Sequence, residues 1–292
     1  MFHGTFTAIT TPFFNGQFDE KAFRNHIELQ IKGGVEGILP VGTTGESPTL
    51  DEQEHLEVIR VAVEAVDGRV KVIAGTGANS TSEAIRLTEA AEKIGIDATL
   101  QVTPYYNKPP QEGLFQHFRA VAECTELPVM LYSVPGRSVV EIAPETAARL
   151  AAECNNIIAI KEASGVPQRV DLLKAALPDD FQILSGDDPL AIEFMKRGAV
   201  GLVSVASNIL PQQISDLVRA MNAGDLAAAQ AIHDKYDVLI SALMGLETNP
   251  IPAKAAVALM GLCSPEIRLP LIPLEVDKLA QLKGYLKDFD LL

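Results

Sequence analysis

Lys161 closes the run Asn156-Ile157-Ile158-Ala159-Ile160-Lys161-Glu162, a short apolar segment bounded by polar residues. Such a run reads as a strand buried on both faces, as in a parallel sheet. An ammonium is costly to leave in that setting without a task. In a desolvated pocket, a neutral lysine amine can attack a carbonyl carbon. Taken alone, the same lysine could end its strand and return its head group to water. What decides between the two is the residues that follow the other apolar runs. Gly42-Thr43-Thr44-Gly45-Glu46 follows one run, Thr103-Pro104-Tyr105-Tyr106 another, and Tyr132 ends a third. Gly75-Thr76-Gly77, Ser185-Gly186-Asp187-Asp188 and Ser204 follow three more, and Arg137 stands five residues beyond Tyr132.

Imine chemistry asks for this set of residue types. The amine must be neutral to attack, and protons must then move on and off a carbinolamine and an enamine. Tyrosine and threonine hydroxyls both donate and accept, so they relay protons without a carboxylate beside the amine. Backbone N–H groups of a Gly-Thr-Thr-Gly turn can hold a substrate carboxylate. Arg137 offers a planar fork for a second one. Each tyrosine by itself reads as a core residue with a satisfied hydroxyl. A lysine, two tyrosines and a threonine pair at four run ends read as a site.

The elements that must position these residues follow from periodicity. Eight apolar runs, Thr5–Ile9, Gly37–Val41, Val70–Ala74, Ala98–Val102, Val129–Tyr132, Ile157–Lys161, Gln182–Leu184 and Val200–Val203, predict strands. Segments with one apolar face lie between them, such as Phe23, Ile27, Ile31 and Leu87, Ala91, Ile94. Thr49-x-x-Glu52 and Ser80-x-x-Glu83 read as capping boxes, and Gly33-Gly34, Gly95, Gly198 and Gly224 as helix stops. Eight alternating strands and helices predict an α/β fold, a (β/α)8 TIM barrel, with its site at the C-terminal ends of the strands. A doubly wound sheet would carry about six strands and a glycine-rich turn after the first; Thr10-Thr11-Pro12-Phe13 is no such turn. After Gly224 the strands cease. Asp225 caps a helix, another follows Pro252, and a third spans about Glu275 to Lys287. The predicted organisation is a catalytic barrel over 1–224 and a helical domain over 225–292.

Composition removes several function classes. A net charge of −14 over 292 residues argues against nucleic acid as a partner. Cys124, Cys154 and Cys263 form no C-x-x-C pair and suit a reducing, cytoplasmic setting. Neither a signal peptide nor an apolar run long enough to span a membrane is visible. The five histidines lack metal-ligand spacing, and Asp187-Asp188 reads as a cap for the next helix in preference to an Mg²⁺ site. Gly75-x-Gly77-x-x-Ser80 lacks the third glycine of a dinucleotide fingerprint. Neither a metal nor a cofactor is expected.

Gly42-Thr43-Thr44-Gly45-Glu46, Val102-Thr103-Pro104-Tyr105-Tyr106, Leu131-Tyr132-Ser133-Val134-Pro135-Gly136-Arg137-Ser138 and Ile160-Lys161-Glu162-Ala163 together resemble the dihydrodipicolinate synthase family. That family belongs to the pyruvate-dependent class I aldolases, which include N-acetylneuraminate lyase. The resemblance runs from Ile9-Thr10-Thr11-Pro12 to Asn249-Pro250-Ile251-Pro252. It implies a lyase of lysine and diaminopimelate biosynthesis in which Lys161 forms a Schiff base with pyruvate and Tyr132 carries protons beside it. Thr43 would link Tyr132 to Tyr106, a residue this family lends across a subunit interface. Thr44 would bind the pyruvate carboxylate, and Arg137 would meet the carboxylate of L-aspartate 4-semialdehyde. Gly186 and the Val203 carbonyl would line the pocket.

The resemblance also implies a homotetramer, a dimer of dimers, with an L-lysine effector cleft at Ser47, Pro48, Glu52, His55, Asn79, Glu83 and Tyr105. Glu52 stands where lysine-sensitive enzymes often have histidine, and His55, alone on its helix, is expected to be solvated. Thr43-Thr44 and Arg137 favour a synthase over the sialic-acid lyases, which usually have Ser-Thr and lack the arginine. Ser133 and Gly136 depart from the synthase pattern, where Asn and Ser are common. The rival readings are another pyruvate-dependent lyase, cleaving sialic or keto-sugar acids, and a non-catalytic metabolite-binding regulator. The joint presence of Lys161, Tyr132, Thr43 and Tyr106 counts against the regulator, since binding alone needs neither amine nor relay.

Overall fold

Parallel strands sandwiched between a barrel interior and surrounding helices are buried on both faces, which is why their sequences run apolar without alternation. The computed structural model describes residues 1–292. Its strands are β1 (Gly4–Ala8), β2 (Phe13–Phe14), β3 (Gln17–Phe18), β4 (Gly37–Leu39), β5 (Lys71–Gly75), β6 (Ala98–Val102), β7 (Val129–Ser133), β8 (Ile157–Glu162), β9 (Gln182–Ser185) and β10 (Gly201–Ser204). Eight of them pair in the order β1-β10-β9-β8-β7-β6-β5-β4 and close as a barrel, while β2 and β3 form a separate antiparallel pair. The predicted strands are all present, shifted by a residue or two at their ends. The second stops at Leu39, two residues early, because Pro40 has no N–H for the ladder and Val41 turns to φ 50°.

The hairpin β2–β3 is absent from the sequence prediction, although its signal stood in the chain. Asn15-Gly16 sits between Phe13-Phe14 and Gln17-Phe18 with φ of 51° and 81°, the positive pair that a two-residue hairpin turn demands. Helix starts also needed correction. Asp51, not Thr49, caps helix Glu52–Val66, its carboxylate accepting from the Glu54 N–H at 2.8 Å. The Thr49 hydroxyl donates instead to the Glu46 carbonyl at 3.1 Å. Ser80 precedes helix Thr81–Ile94 as predicted, but its hydroxyl pairs with that of Ser82 and makes no capping bond. Asp225 does cap helix Leu226–Gly245, accepting from Ala228 N–H at 3.0 Å.

Packing divides the residues into two units. The first comprises Met1–Gly4 with Val72–Val203, the second Thr5–Lys71 with Ser204–Leu292. The first holds most of β5 to β10, and its core includes Leu100, Met130, Leu131, Ile160 and Leu184. The second holds most of β1, together with β4, the hairpin, helices Glu20–Lys32 and Glu52–Val66, and the helical C-terminal region. Phe6, Phe13, Phe23, Ile59 and Leu243 are buried there. After Gly224 (φ 78°) come helices Leu226–Gly245, Ile251–Leu259 and Val276–Asp288. No helix is long and apolar enough to cross a membrane.

Candidate active site

In the first unit, β7, β8 and β9 lie side by side, and their register sets Tyr132 beside Lys161 and Lys161 beside Leu184. Lys161 is only 7% exposed, and its Nζ stands 4.2 Å from the centre of the Tyr132 ring. The side-chain nitrogen therefore faces an aromatic ring at a largely buried position. The chain beyond β9 passes close by. The Gly186 N–H donates to the Glu162 carbonyl at 2.8 Å, and any side chain at 186 would collide with the Lys161 methylenes. The Tyr132 carbonyl accepts from the Thr103 N–H at 2.9 Å and the Thr103 hydroxyl at 2.8 Å, which fixes the ends of β6 and β7 to each other. Val203, in β10, is fully buried.

Behind the lysine lies a charge pair that sequence reasoning missed. Glu162 is completely buried, accepting from Ser164 N–H at 2.8 Å and Arg169 Nε at 3.2 Å. Arg169 also donates to the Ile142 carbonyl at 2.8 Å and faces Glu141 at 3.1 Å. Ile142 N–H in turn donates to the Ser133 hydroxyl at 3.3 Å. The segment that carries Arg137 is therefore anchored, at its far end, to the strand ends that carry Tyr132 and Lys161. Arg137 itself is exposed on the helical turn Pro135–Ser138. Beyond Gly186, the Asp187 carboxylate accepts from the Leu190 N–H at 3.1 Å; Leu190 is itself the N-cap of helix Ala191–Lys196, which has no side-chain capping bond, so the expected cap is not made. Burial raises the Asp187 pKa, and that hydrogen bond works the other way.

Tyr106, unlike Lys161 and Tyr132, is not buried within this chain: the residue is 87% exposed. Its backbone takes φ 73°, unusual for an aromatic residue. The turn is strapped on both sides. The Tyr105 carbonyl accepts from Asn107 N–H at 2.9 Å and Asn79 Nδ2 at 3.2 Å, and Asn107 Nδ2 donates to the Asn79 carbonyl at 2.9 Å. Glu83 also lies near, and burial with that carboxylate's charge raises the Tyr105 phenol above its usual range. Asn79, Glu83 and Tyr105, three of the seven effector candidates, thus neighbour one another.

The second unit carries the other candidates. Thr43 is half-buried and Thr44 buried in the turn after β4, which is closed by Gly45 N–H to Gly42 carbonyl (3.1 Å) and Glu46 N–H to Thr43 carbonyl (3.1 Å). The Thr44 hydroxyl accepts from Asn249 Nδ2 at 3.0 Å. Glu46 ends the turn in the left-handed region (φ 56°), with its carboxylate buried against the Lys254 ammonium. Asn249 and Lys254 were not singled out from the sequence; the buried acid of the Gly-Thr-Thr-Gly-Glu motif, which needs a cation, was the available sign. Ser47 and Pro48 lie on the short 3₁₀ turn that follows. Glu52 is exposed on the next helix, whereas His55, expected to be solvated, is buried. No group of three or more His, Cys, Asp or Glu side chains is arranged to hold a metal ion.

The closed barrel and the relatives that the chain matches are those of an enzyme of the class I aldolase type. The sequence pattern of the Dihydrodipicolinate synthetase family matches residues 1–289. The 4-hydroxy-tetrahydrodipicolinate synthase of Geobacter sp. (strain M21) is 51% identical over 292 residues, covering all of both chains. Among solved structures, dihydrodipicolinate synthase from Aquifex aeolicus superposes with a TM-score of 0.98 at 44% identity, over 99% of each chain. The chloride-inhibited Acinetobacter baumannii enzyme complexed with pyruvate gives 0.97 at 45% identity, over 100% of each. The Cyanidioschyzon merolae enzyme with lysine bound gives 0.95 at 41%, over 100% of this chain and 99% of that one. The chain belongs to the dihydrodipicolinate synthetase family.

Proposed function

We propose that this chain catalyses the 4-hydroxy-tetrahydrodipicolinate synthase reaction, condensing pyruvate with L-aspartate 4-semialdehyde in lysine and diaminopimelate biosynthesis. One observation carries the reading: in a chain 51% identical to such a synthase, a lysine at the end of β8 is buried against Gly186 and the ring of Tyr132. The Lys161 amine adds to the pyruvate carbonyl and loses water to give the imine. Loss of a methyl proton gives the enamine, whose carbon attacks the aldehyde. The amine of the second substrate then closes the ring on the imine carbon and releases Lys161.

Tyr132 moves the protons, with Thr43 and Tyr106 as its relay. Thr44 holds the pyruvate carboxylate, Arg137 holds that of the semialdehyde, and Gly186 and the Val203 carbonyl line the pocket. The exposure of Tyr106 fits a ring that is completed by a second copy, so the working assembly is read as a homotetramer, a dimer of dimers. An L-lysine effector cleft is proposed at Ser47, Pro48, Glu52, His55, Asn79, Glu83 and Tyr105; the lysine-bound relative and the neighbouring Asn79, Glu83 and Tyr105 support it. The division into a barrel over 1–224 and a helical domain over 225–292, and a cytoplasmic location, belong to the same reading.

Borohydride reduction in the presence of pyruvate, followed by peptide mass spectrometry, tests the central step. A reduced pyruvyl adduct on Lys161, lost in Lys161→Ala, is expected; wild-type protein without it ends the Schiff-base reading. A coupled assay with L-aspartate 4-semialdehyde against other aldehydes then separates synthase from lyase. Light scattering that shows an active monomer would remove the shared-tyrosine assembly, and calorimetry without L-lysine binding at millimolar concentration would remove the effector cleft.

A further inference from the structure

The Gly42–Glu46 turn is held from the C-terminal helical region by groups that the reaction itself does not use. Lys254, in helix Ile251–Leu259, is 1% exposed, and its stem borders a recess lined by Ile251, Ala255, Ala258 and Leu259. Its ammonium donates to the Glu46 carboxylate and the Thr11 carbonyl, and stands 4.2 Å from the centre of the Phe13 ring. The Arg268 guanidinium lies 3.9 Å from the centre of the same ring, and its backbone N–H donates to the second Glu46 oxygen at 3.1 Å. Both oxygens of Glu46 are thus committed. Thr11 is tied to the same turn, its hydroxyl donating to the Gly45 carbonyl at 2.7 Å. A buried ion pair is seldom the stablest filling for a core, and well-packed apolar residues often replace one without loss. This pair fixes a conformation instead: it holds Glu46 at φ 56°, two residues beyond Thr44, in a region disfavoured for residues other than glycine.

Asn249 acts on the same turn from its other side. Its Nδ2 donates to the Thr44 hydroxyl at 3.0 Å. A hydroxyl that accepts there has its single proton left to donate elsewhere. A carboxylate oxygen is the acceptor that such a proton would meet.

We propose that Lys254 and Asn249 are positioning residues for the reaction: Lys254 sets the backbone of the Gly42–Glu46 turn through Glu46, and Asn249 sets the polarity of the Thr44 hydroxyl toward a substrate carboxylate. This rests on the reading of Thr44 as the pyruvate-carboxylate group. Steady-state kinetics of the full-length protein test it, with kcat and KM taken separately for each substrate. Asn249→Ala raises the pyruvate KM by about tenfold while kcat stays within about threefold and the semialdehyde KM is unchanged. Lys254→Met leaves the buried Glu46 carboxylate without its counter-ion and destabilises the fold, so the informative protein is Glu46→Gln/Lys254→Met. The double variant recovers the melting temperature but keeps a raised pyruvate KM, and Lys254→Arg recovers part of the affinity.

A wild-type pyruvate KM in both Asn249→Ala and the double variant overturns the proposal and leaves a purely structural pair. Borohydride trapping of pyruvate on the wild-type protein runs alongside. No adduct there overturns the functional reading and this proposal with it, whereas an adduct combined with unchanged KM values overturns the proposal alone.

Discussion

Gly186 leaves the space through which Lys161 runs: a Cβ at residue 186 would stand 2.8 Å from Lys161 Cε and 3.1 Å from its Cγ. Real Cβ contacts do not come this close, so one partner must move. The same Cβ would stand 2.8 Å from Ala163 Cβ, which moves only with its backbone, so Gly186→Ala costs stability as well as displacing the buried lysine stem. The amine would be carried off its line of attack, and a displacement of about 1 Å costs on the order of a hundredfold in rate. Gly186→Ala is therefore expected to melt below wild type and, at temperatures where it is folded, to trap pyruvate about a hundredfold more slowly. Trapping at the wild-type rate would show that Lys161 has slack the geometry does not suggest.

The two tyrosines make a contrasting pair. Tyr132 is packed against Lys161, while Tyr106 is 87% exposed. Tyr106→Phe removes one hydroxyl and keeps the ring, whether or not a second copy covers it, so the urea midpoint should stay close to wild type. If Tyr106 passes protons, losing its hydroxyl lowers kcat by about a hundredfold, the lower end of what general acid–base groups contribute. An unchanged kcat would remove Tyr106 from the relay.

Glu162 and Arg169 support the nucleophile from behind. Arg169→Met strands a carboxylate that is fully buried, and breaking such a pair costs about 3–5 kcal/mol. Glu162→Gln/Arg169→Met removes both charges and should regain most of that loss, as urea denaturation of the three proteins would show. Equal destabilisation of the single and double variants would mean that Arg169 acts through its bonds to Ile142 and Glu141 alone.

How far these features were legible in the sequence depends on the range of the interaction. β8 could be read because Ile157 to Ile160 must be apolar on both faces whatever surrounds them. Lys161 and Tyr132 could be read because each ends such a run, and the register that makes them neighbours follows from parallel pairing. The capping of helix Glu52–Val66 was misplaced because Thr49-x-x-Glu52 satisfies the capping pattern, yet the 3₁₀ turn Ser47–Thr49 takes up Thr49 and leaves Asp51 at the true start. The grip of Asn249 and Lys254 on the Gly42–Glu46 turn joins residues some two hundred positions apart. No local periodicity encodes it. His55 was misjudged for a related reason, since its burial depends on what packs over the helix and not on the helix itself.

Two other histidines make stability depend on pH. His26 is buried, with Nε2 3.0 Å from the Asn208 carbonyl, and His117 is buried with Nδ1 2.9 Å from the Thr81 hydroxyl. Burial lowers the pKa of each from 6.5 to about 4, the Asn208 carbonyl opposing it at His26. Between those values the unfolded chain binds more protons than the folded one, so stability rises with pH across that window and is lost as pH falls from 6.5 toward 4. Each histidine then costs about 3 kcal/mol once the pH is below both values. His117→Phe removes one titration and keeps a ring beside Phe118, whose centroid lies 5.0 Å from that of His117. Urea midpoints at pH 7, 5.5 and 4.5 should fall less steeply for this variant, by about 2–3 kcal/mol between pH 6.5 and 4.5. Parallel losses in the two proteins would mean that His117 protonates in the folded state without penalty, and the acid sensitivity would then lie elsewhere.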